Sequence, residues 1–510
     1  MLSPGDCIRG TKKQVFASLV ASWLGAVGCF APIAVGETAA PADPANRLLY
    51  SAAEIDEYRS RMAGTGPFFS RGDASHGGRW SPHDGERSEQ LAGEFLSDPQ
   101  ASRWSQPNLP YASGDPSPPH QLRYAAPMHA AWVAMTQPDH PQRTELVREV
   151  KAYLLAHAAD PTLDFGNDAH YTDDFPGFAP GPIFAMAEWM TRVIKARDML
   201  GRDAFTEEEN ARFDRWLYDY ANWSFLWLHN ETYGKHLPGR LERDYSRIGA
   251  SFRTPEDGFR QSYDDGPGIG FAATAYSNRH STVMAGASLA ANYIKHFHYE
   301  APTSGGPYYG LLSVDQLVDH SRLFVEETLR FSVYPQGAQG DFERGDGNRH
   351  ATASPQQGWL YSANVLMGLI EMAHYHARRG DMSVWEYGTT AGHEGTEGSP
   401  NEVLGIDGFP EKNLHFYAWA MSRYVNGEWN RNNRGEPLAL DRFYHDVIPA
   451  AIAHRFAPHD GLLEAAWRRQ GRDFPPYPER PQSQGPWNAL FGQGGKFIGL
   501  IEHGGMPPLQ

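Results

Sequence analysis

Apolar residues recur at spacings of three and four in one stretch of the chain after another, while period-two alternation is scarce; such a pattern restricts the fold to packed helices. Ile183, Phe184, Met186, Ala187, Met190, Val193, Ile194 and Met199 form one stripe, begun by Pro182, whose missing N–H costs a first helical turn nothing. Phe213, Trp216, Leu217, Tyr220, Trp223 and Trp227 form a second, and Val283, Met284, Ala287, Ala290, Ala291 and Ile294 a third. Leu317, Val318, Leu323, Val325 and Leu329 follow, then Leu366, Leu369, Ile370 and Ala373, then Tyr417, Met421 and Tyr424. Serial helices of this kind predict an all-α fold, an (α/α) toroid or barrel of antiparallel helix pairs with long loops over a central cleft. A repeat solenoid is disfavoured because no fixed period of about 34 residues is present. Residues 64–85, 100–120 and 380–410, rich in glycine or proline, are expected to be the long loops.

Residues 1–36 read as a secretory leader: Lys12-Lys13, an apolar stretch from Val15 to Val35 interrupted by glycines and Pro32, and small residues before Glu37. A periplasmic or secreted protein is therefore expected, with residues 37–510 as a single toroid domain. Acylation at Cys29, after Ala26-Val27-Gly28, is the minor alternative. Cys7 and Cys29 are the only cysteines, so beyond the leader the chain offers no disulfide, thiol nucleophile or thiolate metal site. No later stretch is apolar and long enough to span a membrane. A net charge of −16 argues against a nucleic-acid partner, and any polyanion would need a local basic cleft. Lys235, Arg240, Arg243, Arg247, Arg253, Arg260 and Arg279 form such a cluster, although Glu242, Asp244, Glu256 and Asp257 interleave with it and a salt-bridged surface would look the same.

This cluster leads into Asn278-Arg279-His280-Ser281 at the start of the third stripe. Downstream, Arg344 precedes the helix that opens at Gly358-Trp359-Leu360-Tyr361. An amide, an imidazole, a guanidinium and a phenol are the groups that remove a proton from the carbon beside a carboxylate and expel an oxygen leaving group. The carboxylate's charge opposes formation of the adjacent carbanion. Preorganised donors that neutralise it are worth about 3–4 kcal/mol each. A base and an acid each contribute about a hundred- to ten-thousand-fold, and a tyrosine held near cations can serve as both.

The stretch from Tyr276 to Ala285 resembles the Asn-x-His-Ser-type motif of the alginate lyase superfamily, helical-toroid polysaccharide lyases that act on alginate and related polyuronates. In that family an Arg-Gly pair also precedes a tyrosine that opens an apolar helix ending near a glycine. Here Glu343-Arg344-Gly345 precedes Tyr361, and the helix runs through Leu366, Leu369, Ile370 and Ala373 to Gly380. The resemblance implies that Asn278 and Arg344 neutralise the uronate carboxylate, that His280 is a neutraliser or base, and that Tyr361 is the acid and base. Arg279, Arg260, Tyr263 and Trp359 would bind the acidic polysaccharide, with no cofactor and no metal. The interval from Arg344 to Tyr361 is longer than the family's simplest pattern, which makes Arg349 and Arg279 substitutes for Arg344. The likeness covers residues 180–380 in helix order. Arg71-Gly72-Asp73 and Trp80-Ser81-Pro82 are unlike the family's best-known members, which suits a divergent enzyme for alginate or glucuronan.

Two other functions fit parts of the sequence. A glycoside hydrolase on the same scaffold would use two carboxylates, from Asp173-Asp174 and Asp264-Asp265, which also suit loop turns. A non-catalytic glycan-binding protein would keep aromatic platforms without needing Tyr361. Trp216, Trp223, Trp227, Trp359 and Tyr263 could be such platforms, but an aromatic stripe at helical spacing is usually core, and about two in three of these tryptophans are expected to be buried. Asn278 by itself suits a helix cap, and Tyr361 a buried phenol. His296/His298 and His374/His376 are two residues apart and would leave a helix on different faces, which does not suit a metal.

Overall fold

From Asn278 to His296 the chain is helical, and every residue except Arg279, Lys295 and His296 is buried, so this is a core helix enclosed on all sides. Its run of Ala285, Gly286, Ala287, Ser288, Ala290 and Ala291 lets neighbours approach closely. The computed structural model describes residues 46–50, Ala52, Ile55, Asp56, Arg59, 82–104, 118–166, 180–229, 276–301, 312–340, 355–392 and 395–425. All of them fall in one unit, Thr38–Leu509. In chain order the helices are α1 (Pro82–Ser97), α2 (Pro118–Thr136), α3 (Arg143–Ala158), α4 (Pro180–Leu200), α5 (Glu207–His229), α6 (Asn278–His296), α7 (Val314–Phe331), α8 (Pro355–Arg378), α9 (Ser383–Glu386), α10 (Pro400–Leu404) and α11 (Leu414–Val425). Among the described residues the only β pairing is two isolated bridges, Val333–Gln339 and Thr389–Lys412, so the chain is all-α.

Specific contacts fix the helix directions. Ser281 of α6 lies against Gly368 of α8, and eleven residues further on in each segment Arg379, just past the end of α8, donates to Asn292 Oδ1 of α6 at 2.7 Å; α6 and α8 therefore run parallel. Gly286 of α6 lies against Ala187 of α4, and beyond the far ends of both helices Arg202 stacks on Phe297 at 4.5 Å, so α4 runs with them. The intervening helices run the other way. Lys295 pairs with Asp315 at one end of α6 and α7, and Tyr276 with Glu327 at the other. Tyr220 of α5 touches Gly286 while Tyr218 meets Tyr299. Lys151 of α3 donates to Ala204 O just past α4 while His157, further along α3, meets Trp189 within α4, and Arg143 at the start of α3 donates to Ala134 O near the end of α2; the helices thus alternate between a parallel set (α2, α4, α6, α8) and antiparallel partners (α3, α5, α7). Consequently the connections that lead into α4, α6 and α8 all arrive at one end of the set.

A close crossing sets the α6–α8 distance. A Cβ added at Gly368 would stand 2.9 Å from Ser281 O and 3.0 Å from Ser281 Cβ. In a helix interior Gly→Ala ordinarily gains about 1 kcal/mol, but overpacking costs about 1–3 kcal/mol. Gly368→Ala is expected to destabilise in urea unfolding, while Gly93→Ala on α1, where nothing lies within 4 Å, is expected to stabilise.

At the opposite end, residues 46–50 are clamped to the end of α4. Leu48 and Leu49 amides donate to the two oxygens of Asp198 at 2.6 and 2.8 Å, and Arg202 N donates to Asn46 O. Gly201, at φ +82°, packs its bare Cα on the Asn46 amide. Burial raises the Asp198 carboxyl to about 6. A second buried group has the opposite shift: burial lowers His157 to about 4. Its geometry requires the neutral ring, with Trp104 N–H donating to Nε2 at 3.2 Å and Nδ1 against Tyr153 O at 2.8 Å. As pH falls from about 6.5 to 4, the unfolded chain takes up a proton that folded His157 refuses, so stability is lost. Between about 6 and 3.8 the folded state holds the extra proton on Asp198, so stability is gained. Relative to the unaltered protein, Asp198→Asn is therefore expected to be more acid-sensitive and His157→Gln less so, read from urea midpoints across this range.

Candidate active site

The first turn of α6 lies at the end where the long connections arrive. Ser277 is the N-cap, in extended conformation, and Asn278 is the first helical residue rather than the cap. Ser281 Oγ donates to Asn278 O at 3.0 Å, tying the turn. Asn278 and His280 are buried, at 7% and 6% exposure, and Arg279 between them is exposed. Two helical steps turn through about 200°, so Asn278 and His280 leave α6 on nearly opposite sides. Measured from Ser281, which faces α8, Asn278 is displaced by about 60° one way and His280 by about 100° the other. A ligand can be reached by both only off the end of the helix, not along its flank.

Tyr361 is half-buried. It precedes Gly368 by seven residues, two helical turns, which returns it to within about 20° of the stripe that faces α6. In register with α6 it stands about 6 Å beyond Asn278 and about 9 Å beyond His280 along the common axis, because α8 begins well before α6 does. Its ring is therefore carried on the α6-facing side of α8, at a level just past the α6 N-terminus. The structure brings Asn278, Arg279, His280 and Tyr361 to one end of two adjacent parallel helices. Arg344, Arg260 and Tyr263 lie outside the described residues, as do Asp173, Asp174, Asp264 and Asp265. Trp359 is on α8, two residues before Tyr361, but its side chain is also outside what is described.

Several polar groups at this end carried no signal in the sequence. Gln339 is fully buried between the start of α6 and the start of α8. Lys412, also fully buried, donates to Arg330 O at 2.8 Å, Val333 O at 3.1 Å and Thr396 O, which fastens the returning segment to the end of α7. Burial lowers Lys412 to about 7, while three carbonyls take the three protons of the ammonium. The glycines flanking Ala338-Gln339 do mark a turn, and a buried amide inside one is the only hint available.

Deeper in the helices, Lys195 of α4 meets Glu371 of α8 at 3.7 Å, Tyr375 donates to Glu371 at 3.1 Å, and Glu188 pairs with Arg192. Ser321, His376 and Asp381 form a hydrogen-bonded chain, 2.8 Å at Nε2 and 3.0 Å at Nδ1. It has the order of a nucleophile triad, but Ser321 and His376 are fully buried and no substrate reaches them, so it holds the turn after α8. Trp216 and Trp223 are buried core residues. Among the described residues no group of three histidine, cysteine, aspartate or glutamate side chains is placed to hold a metal, and no helix is long and apolar enough to cross a membrane. No family model, curated protein or solved structure matches this chain.

Proposed function

We propose that this chain is an exported polysaccharide lyase that cleaves a polyuronate, alginate or glucuronan, by β-elimination, on helices that close into a toroid. The observation that carries the reading is the register of α8 on α6: Tyr361 overhangs the helix end that bears Asn278 and His280. The alternation of parallel and antiparallel helices supports the toroid, since it is the order in which such a ring is built. An α-helix N-terminus presents unsatisfied N–H groups and the positive end of its dipole, so it favours an anion. A uronate carboxylate placed there is neutralised by Asn278 from one side and His280 from the other, with Arg279 and Arg344 adding charge. Tyr361, acting as the phenolate, then takes the proton from the carbon next to the carboxylate. The C–O bond to the leaving sugar breaks, a C=C bond forms, and the phenol returns the proton to the departing oxygen. One group on one face of the sugar does both transfers.

The test is incubation of the purified protein with a panel of polyuronates and neutral polysaccharides, with parallel readings of ultraviolet absorbance and reducing ends. Elimination yields an unsaturated sugar, so absorbance and reducing ends rise together, on polyuronates only. New reducing ends without absorbance would replace the lyase by a hydrolase.

A further inference from the structure

We propose that Gln339 is a positioning residue: its carboxamide sets where Tyr361 stands relative to the first turn of α6. Nε2 donates to Tyr276 O at 3.1 Å and to Ser332 Oγ at 2.7 Å, and Oε1 accepts from Ser362 Oγ at 3.2 Å. Tyr276 is two residues before Asn278, and Ser362 directly follows Tyr361. One amide thus joins the chain entering α6 to the backbone neighbour of Tyr361, with both of its donor hydrogens used.

The surroundings hold that amide still. Val333 and Gln339 pair as an isolated bridge, and Gly340 N donates to Ser332 O while Tyr334 N donates to Ala338 O, which close the turn that presents Gln339 inward. Tyr417 of α11 donates to Ser362 O at 2.6 Å, so the same residue of α8 is held from a second side. The two helices are closest where Gly368 meets Ser281, and Arg379 ties their C-terminal ends through Asn292; at the N-terminal end, where Tyr361 stands, the Gln339 amide is a hydrogen-bonded tie between them. What the amide adds is direction: its hydrogen bonds are made at one axial offset between the two helices and lost at others. A misplacement of about 1 Å in a reacting group costs about a hundredfold in rate.

The inference rests on the lyase reading for its kinetic consequence, so one arm of the experiment does not depend on activity. Fluorotyrosine is incorporated at position 361, and its ¹⁹F resonance is recorded in otherwise unaltered protein, in Gln339→Met and in Ser362→Ala. The resonance is expected to move and broaden in both variants, more in Gln339→Met. In the kinetic arm, on the polyuronate that the unaltered protein cleaves, kcat is expected to fall about a hundredfold in Gln339→Met and less in Ser362→Ala, with KM little changed. Ser362→Thr, which keeps the hydroxyl, is expected to restore kcat. A resonance that stays in place in both variants overturns the proposal whether or not any polyuronate is cleaved, as does an unchanged kcat. If Gln339→Met fails to fold, Ser362→Ala decides by the same criteria. A moved resonance with no polyuronate cleaved even by unaltered protein would retain the positioning role and discard the lyase.

Discussion

Tyr361→Phe is expected to lower polyuronate turnover by about a hundred- to ten-thousand-fold and to leave binding of an oligouronate close to that of the unaltered protein. The phenolic oxygen is assigned the two proton transfers, which matter in the transition state and little in the ground state. Its removal therefore lowers kcat and kcat/KM together. The ring stays to fill its half-buried place on α8, so the fold should not suffer, and calorimetric titration with the oligouronate separates binding from chemistry. Near-normal turnover would remove Tyr361 from the chemistry. Asn278→Ala is the complementary case: it removes a group assigned to neutralise the carboxylate, so both binding and rate are expected to drop.

Lys195→Met is expected to destabilise the protein by about 3–5 kcal/mol, the usual cost of removing one partner from a buried ion pair. Lys195 and Glu371 are 1% and 0% exposed, and they join α4 to α8 across the core at 3.7 Å. The variant keeps the hydrogen bond from Tyr375 to Glu371 but loses the ammonium that balances the carboxylate. Taking the second charge away as well, in Lys195→Met with Glu371→Leu, is expected to recover most of the loss, because an apolar pair of similar volume avoids the desolvation of both ions. Urea unfolding of the two single variants and the double variant measures the coupling. A single variant as stable as the unaltered protein would mean that the pair is not closed in solution.

The helices α4 to α8 and α11 were legible in the sequence because each has a stripe of large apolar residues at helical period, and the described members of those stripes are buried, apart from the half-buried Leu323. Helices α1, α2 and α3 were not. Pro118-Pro119 and the internal Pro127 disguise α2, and α3 carries charged residues around a stripe of only Leu146, Val150, Tyr153, Leu154 and His157. The stretch 100–120 therefore reads as loop, although its last three residues already belong to α2. Residues 380–410, read in the same way, contain the short helices α9 and α10, and they are held by Lys412, whose burial depends on carbonyls about 80 residues away in the chain. In the candidate site, order and residue type singled out Asn278, His280 and Tyr361 as candidates, but the opposite projection of Asn278 and His280 follows only once the helix is known to begin at Asn278. Gln339 illustrates the limit best. Its partners at Tyr276 and Ser362 are set by the stacking of two distant helices, and nothing local in Gly337-Ala338-Gln339-Gly340 encodes them.

The convergence of Asn278, His280 and Tyr361 on one sugar is tested most directly by a crystal structure of Tyr361→Phe with an oligouronate bound. A uronate carboxylate is expected off the N-terminus of α6, within hydrogen-bonding distance of Asn278, with the ring at position 361 and His280 each against that sugar. An oligosaccharide bound elsewhere, or a ring at position 361 packed into the interior and separated from His280 by more than the width of a sugar, would contradict it.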